Sequence, residues 1–407
     1  MSAHTLKRWQ MVSAYSLGHF LVDFSCAFLM FRFIAGTQEG YVGVLLYNFC
    51  AFAMQMPLGV VADKLNKNYL FAIIGLVLVA TAYVFVQIPL AAVIVIGTGN
   101  ALFHIGGGID VLNISEKKLS ALGVFVSPGA FGIYFGTILG RGVSMQAFYF
   151  PVMMLAAVIL IYVIYRSQKG SYPGNAAFSL WNIGFGVMNT GGTGTGGSKA
   201  GITNAGGKST GNAKAGNINA GGSNAENPNA GAMSSGNINS WNINSGRILI
   251  AAACFFLVVC LRSFVGLALD FPWKGFGSWG VTLVCAVVFG KVAGGFVADK
   301  LGVVKTSILS LGAAALLFLL FQIPVAGVAA LLLFNMTMPV TLWAMAKLFP
   351  GAKGFAFGLL TFALFLGFLP VYLKVDISAY APWLFAALSV VSLGILFFGL
   401  RKGGEKA

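Results

Sequence analysis

Few side chains in this sequence can do proton or charge chemistry, and those few stand inside long apolar runs. His19 and Asp23 lie four residues apart in the run 11–34, so on a helix they share one face. His104 stands in the run 90–113, Arg262 in 248–269, and Asn335 is the polar member of 325–346. Each is costly in lipid, which makes each a candidate functional group. A His beside an Asp can hold or release a proton near neutral pH, because the carboxylate favours the imidazolium and desolvation opposes it. Arg262 stays charged, and can attract an anionic substrate or neutralise Asp23. The plainer alternative is a set of interhelical hydrogen bonds or ion pairs that holds a bundle together. A neutral His19 can simply bond a main-chain carbonyl.

A second set of charged residues is written twice. Gly59-Val60-Val61-Ala62-Asp63-Lys64-Leu65 returns as Gly295-Phe296-Val297-Ala298-Asp299-Lys300-Leu301, 236 positions on. Gln87-Ile88-Pro89 matches Gln322-Ile323-Pro324, and Lys118, Ala121 and Gly123 match Lys353, Ala356 and Gly358, all offset by 235. Three landmarks in one register indicate duplicated halves, an arrangement common among secondary transporters. Asp63 and Asp299 each sit where an apolar run meets a charged segment. An Asp there can accept hydrogen bonds from the free N–H groups that begin a neighbouring helix. Lys64, like Lys67, fits equally well as a marker of membrane orientation, and Lys300 belongs to the second copy of the motif. Asp110, at the same end of its own run, is expected to join this charge cluster.

The elements that carry these residues are membrane helices. The chain has 407 residues, of which 58% are hydrophobic and 9% charged, against about 25% charged in soluble proteins. Twelve apolar runs have roughly the 17–25 residues needed to cross a bilayer as helix: 11–34, 41–62, 69–88, 90–113, 119–140, 146–165, 248–269, 279–298, 305–323, 325–346, 354–373 and 381–400. They divide the chain into an N-terminal six-helix half (1–170), a C-terminal six-helix half (247–407), and a segment between them (171–246) dominated by Gly, Asn, Ala, Ser and Thr. Such a segment buries little, so a largely disordered loop is expected, with Trp181 and Trp241 its only docking points.

Net charge is +15, but its distribution excludes nucleic acid as the reason. Of the 25 Lys and Arg, 19 fall on one side of the expected membrane, four on the other (Arg32, Arg141, Lys274, Lys374) and two within spans (Arg262, Lys291). That asymmetry places both termini in the cytoplasm. The five cysteines all stand in apolar runs without a C-x-x-C pair, and no His, Cys and carboxylate set has metal-ligand spacing along the chain. The glycine runs lack the context of a phosphate loop. Neither a cofactor nor an enzyme activity is expected.

Gly-x-x-Ala-Asp-Lys after the second helix and again after the eighth resembles the signature loop of the major facilitator superfamily. Ser16-Leu17-Gly18-His19-Phe20-Leu21-Val22-Asp23, Gly97-Thr98-Gly99-Asn100-Ala101-Leu102-Phe103-His104 and Pro128-Gly129-Ala130-Phe131-Gly132 resemble the fosmidomycin-resistance group of drug exporters within it. That group tends to carry His-Pro-Glu in helix 4, where this chain has His104-Ile105-Gly106. The resemblance implies an all-α integral membrane protein of twelve helices whose first, fourth, seventh and tenth helices line a central cavity. It also implies that Gly59 lets Asp63 reach the start of helix 11 near Gly354, latching the cytoplasmic side shut. The function implied is alternating-access transport of a small organic solute or drug across the cytoplasmic (inner) membrane by a monomer, with efflux driven by protons. The alternatives are an organic-anion uptake carrier or facilitator, favoured by Arg262 and the missing helix 4 carboxylate, and a non-transporting receptor or scaffold acting through the central loop.

Overall fold

Within an apolar medium every main-chain polar group must be paired inside the chain, which leaves helices as the available element for long apolar runs. The computed structural model of the protein describes residues 3–115, 118–142, 145–168, 235–275, 277–377 and 381–405, and their regular structure is helical throughout. The membrane-crossing helices are α1 (Thr5–Ile34), α2 (Gly40–Leu65), α3 (Asn68–Phe85), α4 (Pro89–Ile114), α5 (Leu119–Gly142), α6 (Tyr149–Gln168), α7 (Ser245–Ala268), α8 (Trp279–Leu301), α9 (Val303–Phe318), α10 (Pro324–Leu348), α11 (Lys353–Tyr372) and α12 (Ala381–Lys402). Eleven are long and apolar enough to span a bilayer; α9, with 16 residues, is shorter and continues through turns to Phe321. This is a multi-pass membrane protein.

Local sequence explains where these helices start and stop. Pro89 and Pro324 open α4 and α10, where a missing N–H costs nothing. Asn66 ends α2 in the left-handed region at φ 50°, and Gly302, its equivalent in the repeat, ends α8 at φ 85°. Both are residue types that tolerate this conformation, so α3 and α9 turn back at once. The helical backbone leading into α7 begins at Ser235, so the end of the segment expected to be loop (171–246) is helical; the rest of that segment, Trp181 included, lies outside the described residues.

Three of the described helices are interrupted inside the membrane. α2 breaks at Met54, between Phe49–Ala53 and Gln55–Leu65, α5 breaks at Ser127, between Leu119–Val126 and Pro128–Gly142, and α10 breaks at Met336 and Thr337, between Pro324–Asn335 and Met338–Leu348. The halves meet chiefly where α2 packs on α11 and α5 on α8. These contacts are close because glycine lines them: a Cβ at Gly59 would fall on the main chain of Gly354, and one at Gly295 would lie 2.6 Å from the carbonyl oxygen of Leu119. Main chain cannot rotate away as a side-chain tip can. Gly59→Val is therefore expected to weaken the α2–α11 contact by about 1–3 kcal/mol, read as a lower midpoint of thermal unfolding and a loss of cross-linking between cysteines placed at the facing ends of α2 and α11. Unchanged cross-linking would contradict the close approach.

Candidate functional site

The site is built around the break in α5. Pro128 has no N–H, so the helical bond it would give to the Val124 carbonyl cannot form. Two successive carbonyls at the break take side-chain donors instead: His19 Nδ1 lies 2.8 Å from Phe125 O, and Lys291 Nζ donates to Val126 O at 3.2 Å. The Ser16 hydroxyl, which donates to Val12 O on its own helix at 2.7 Å, lies 3.3 Å from Val124 O. The donors come from α1 and, for Lys291, from α8 in the other half.

A carbonyl oxygen only accepts, so His19 must carry its proton on Nδ1. His104 is held in the same way, with Nδ1 at 2.9 Å from the carbonyl of Asn100, one turn earlier on α4. Both rings therefore turn Nε2 toward Asp23: His19 Nε2 is 3.2 Å from Oδ2, and His104 Nε2 is 3.8 Å from Oδ1. Asn100 Nδ2 donates to Oδ1 at 3.1 Å. The imidazoles meet edge to face with centroids 4.4 Å apart. With neutral rings and an ionised Asp23, lone pairs would confront a carboxylate across 3.2 Å in a buried setting. One proton placed between His19 Nε2 and Asp23 Oδ2 turns that repulsion into a charge-assisted hydrogen bond. Gly129 makes room for the pair, since a Cβ there would fall on Asp23 Oδ2 and His19 Nε2.

Arg262 and Asn335 stand apart from this triad. Arg262 is buried on α7 against the break in α10, where its NH1 donates to Thr341 Oγ1 at 3.1 Å and its NH2 to Thr337 Oγ1 at 3.2 Å. Its Nε has no hydrogen-bond partner, and no carboxylate lies within 4.0 Å of it among the described residues. Arg262 thus does not neutralise Asp23 by direct contact. Asn335 turns back on its own helix, donating to Leu331 O at 2.8 Å.

The repeated Asp residues form two matching latches on the side of the bundle that carries the termini. Asp63 accepts from the N–H of Gly354 (2.8 Å) and of Phe355 (2.9 Å), at the start of α11. Asp299 accepts from the N–H of Leu119 (2.6 Å) and of Ser120 (3.1 Å), at the start of α5. Each carboxylate satisfies two donors that a helix start leaves open, with the helix dipole in support. Lys64 and Lys300 are exposed beside them. Asp110 is held within its own half, by Tyr15 Oη (2.5 Å) and Asn68 Nδ2 (2.8 Å) from α1 and α3, and the cluster expected to include it is bridged instead by Lys353, whose Nζ reaches Asn113 Oδ1 at 2.9 Å.

Three features escaped sequence reasoning, and the repeat held a signal for each. Asn100 is the duplicate of Asn335, the partners of Asp299 are those of Asp63 shifted by 235 positions, and Lys291 takes the place of Gln55. The donor atoms of His19, Asp23 and His104 also lie within 4.8 Å of one another, close enough to hold a metal ion. Spacing along the chain hid this set because it joins two helices. Lys291, bonded to the carbonyl next to the one that holds His19, opposes a divalent cation here and disfavours a single proton much less.

Because Asp63 is buried and Asp299 exposed, Asp63→Ala is expected to destabilise the closed side by about 1.5–3 kcal/mol and Asp299→Ala by less. Thiol labelling of cysteines placed behind each latch measures the opening; labelling of Asp63→Ala no faster than the parent would contradict the latch.

No protein-family model and no curated protein matches the chain. Among solved structures it is similar to a variant of the E. coli fucose:proton symporter FucP, with 11% identity, a TM-score of 0.61 and 100% of both chains covered. It is similar also to FucP described as a major facilitator superfamily transporter in the outward conformation (12%, 0.59, 100% of both), and to the human organic anion transporter MFSD10 (13%, 0.60, 96% of this chain and 99% of that one). Likeness at this identity is a likeness of fold, and the chain has the twelve-helix major facilitator fold.

Proposed function

We propose that this protein is a major facilitator secondary transporter that moves a small organic solute by alternating access, with the His19–Asp23–His104 triad as its proton carrier. The observation that carries the reading is the fixed orientation of both imidazoles: each Nδ1 is committed to a main-chain carbonyl, so each Nε2 faces the Asp23 carboxylate. A group that must change charge during a cycle needs such a pre-set acceptor in a site closed to bulk water. The Asp63 and Asp299 latches close one side of the bundle, which the positive charge distribution makes the cytoplasmic side. A neighbouring structure titled as a fucose:proton symporter supports proton coupling in this fold. Proton-driven efflux is the direction implied by the resemblance to the fosmidomycin-resistance group. Uptake of an organic anion is the second reading, favoured by an Arg262 that no carboxylate neutralises; the neighbour titled as an organic anion transporter supports it.

Flux into proteoliposomes, normalised to folded protein and measured with and without an imposed pH gradient, tests the triad. Asp23→Asn and His104→Gln keep size and hydrogen bonding while removing the titrating group. Each is expected to abolish gradient-driven flux and to retain substrate exchange. Gradient-driven flux in proportion to the folded fraction would reduce the triad to a structural contact. Gly129→Ala provides a variant that keeps every ionisable group. The added Cβ displaces the His19–Asp23 pair, and driven flux is expected to fall about tenfold or more, whereas Gly142→Ala, with open space around it, should transport like the parent.

A further inference from the structure

The charges buried between the halves do not balance. Among the described residues Asp23 is the one carboxylate at this depth, and two imidazoles and Asn100 already engage it. Asp63 and Asp299 are spent on helix starts, and Asp110 on Tyr15 and Asn68. Facing them are two full cations. Arg262, 8% exposed, is held by the neutral oxygens of Thr337 and Thr341 with its Nε unbonded. Lys291 Nζ donates to a main-chain carbonyl of the opposite half, Val126 O, at 3.2 Å. Neither has a carboxylate within 4.0 Å among the described residues. The duplication sharpens the point. At the position equivalent to Lys291 the first half has Gln55, which bonds Ala51 O on its own helix. The bundle therefore closes without a cation at that place.

We propose that Arg262 and Lys291 form an anion subsite for a small organic monocarboxylate, and that this anion binds together with the proton of the triad. The proposal rests on the transport reading and names its substrate class. Arg262 offers a planar fork and Lys291 a point charge, a pair suited to a carboxylate whose body lies between the halves. Lys291 and His19 bond the adjacent carbonyls of Val126 and Phe125, and α8 packs at Gly294 against Met336, next to the Thr337 that holds Arg262, so the two events are electrically linked. A proton on the triad removes the negative charge that competes with the substrate for Lys291, so protonation strengthens anion binding, and by reciprocity the anion strengthens protonation. Proton and anion then cross as a neutral pair, which makes this a symport. An exporter exchanging substrate for protons requires the opposite sign, competition. The titratable and charged groups facing the triad are Cys26 on α1, Tyr47 on α2 and Lys291 on α8; α5 presents Gly129 and Gly132.

The test is binding of benzoate and cyclohexanecarboxylate to the full chain in lipid nanodiscs, with benzamide and cyclohexanecarboxamide as neutral counterparts, read by thermal stabilisation at about pH 6 and about pH 8, where both acids stay ionised. The acids are expected to stabilise the protein, the amides not, and affinity is expected to be roughly 5–150-fold tighter at the lower pH. Arg262→Gln should weaken acid binding about tenfold or more. Lys291→Gln, which installs the residue of the first half, should do the same in the folded fraction, with a lower unfolding midpoint because Val126 O loses its donor. In Asp23→Asn acid binding should persist and lose its pH dependence. Amides that bind as tightly as acids, or no stabilisation of the folded parent by either acid, would overturn the subsite and leave the proton reading of the triad standing. Acid binding that is selective over the amides yet equal at both pH values, or tighter at the higher one, would overturn the co-binding.

Discussion

A main-chain carbonyl left unpaired in lipid costs several kcal/mol, and α5 exposes such carbonyls in the middle of the bundle. Pro128 makes the break unavoidable, because it can neither donate to Val124 nor fit an uninterrupted helix. What surrounds the break is shaped by that demand. His19 and Lys291 are drawn to Phe125 and Val126. Satisfying Phe125 sets the His19 tautomer, the tautomer aims Nε2 at Asp23, and Asp23 then needs a proton at that contact. Satisfying Val126 brings a lysine of the C-terminal half into the electrostatic field of the triad. One backbone defect thus links the proton site, the charge of the second half and the interface between the halves.

Duplication supplies the frame, and departures from it supply the chemistry. The two latches are near copies, with Asp63 on the start of α11 and Asp299 on the start of α5, and both rely on a glycine one turn earlier. Symmetric contacts of this kind can open and close by rocking one half against the other. The centre is asymmetric. Asn100 binds the Asp23 carboxylate while its duplicate Asn335 bonds its own helix. Gln55 is neutral where Lys291 is charged. The N-terminal half thereby holds the titrating groups, the C-terminal half holds the permanent cations, and a ligand between the halves meets both.

Much of the fold was legible in the sequence, for physical reasons. Apolar runs of membrane-spanning length leave helix as their structure, Pro89 and Pro324 mark starts, and the repeat aligns the halves. α9 came out shorter than its apolar run because the chain turns at Leu319–Phe321 while still apolar, and composition does not register such a turn. The helix leading into α7 starts earlier than its composition suggests, at Ser235, within a polar stretch that hydropathy reads as loop. At the site, His19 and Asp23 were legible together from their spacing of four. The union of that pair with His104 and Asn100 was not, because it depends on how α1 and α4 cross. Lys291 was legible only as a basic residue within a span, since its acceptor, Val126 O, is main chain and carries no mark in the sequence.

The claim on which the rest depends is that His19 keeps its proton on Nδ1 and takes up or gives away a proton at Nε2. Nitrogen-15 solid-state NMR of histidine-labelled protein in lipid, with His19 assigned through a His19→Gln variant, reads both ring nitrogens directly. The account expects Nδ1 of His19 to remain protonated throughout a titration, while Nε2 changes from protonated to bare as the proton shared with Asp23 leaves. A neutral His19 with its proton on Nε2 and a bare Nδ1 would contradict it, because such a ring can neither donate to Phe125 nor exchange a proton with Asp23 from Nε2 in the manner described.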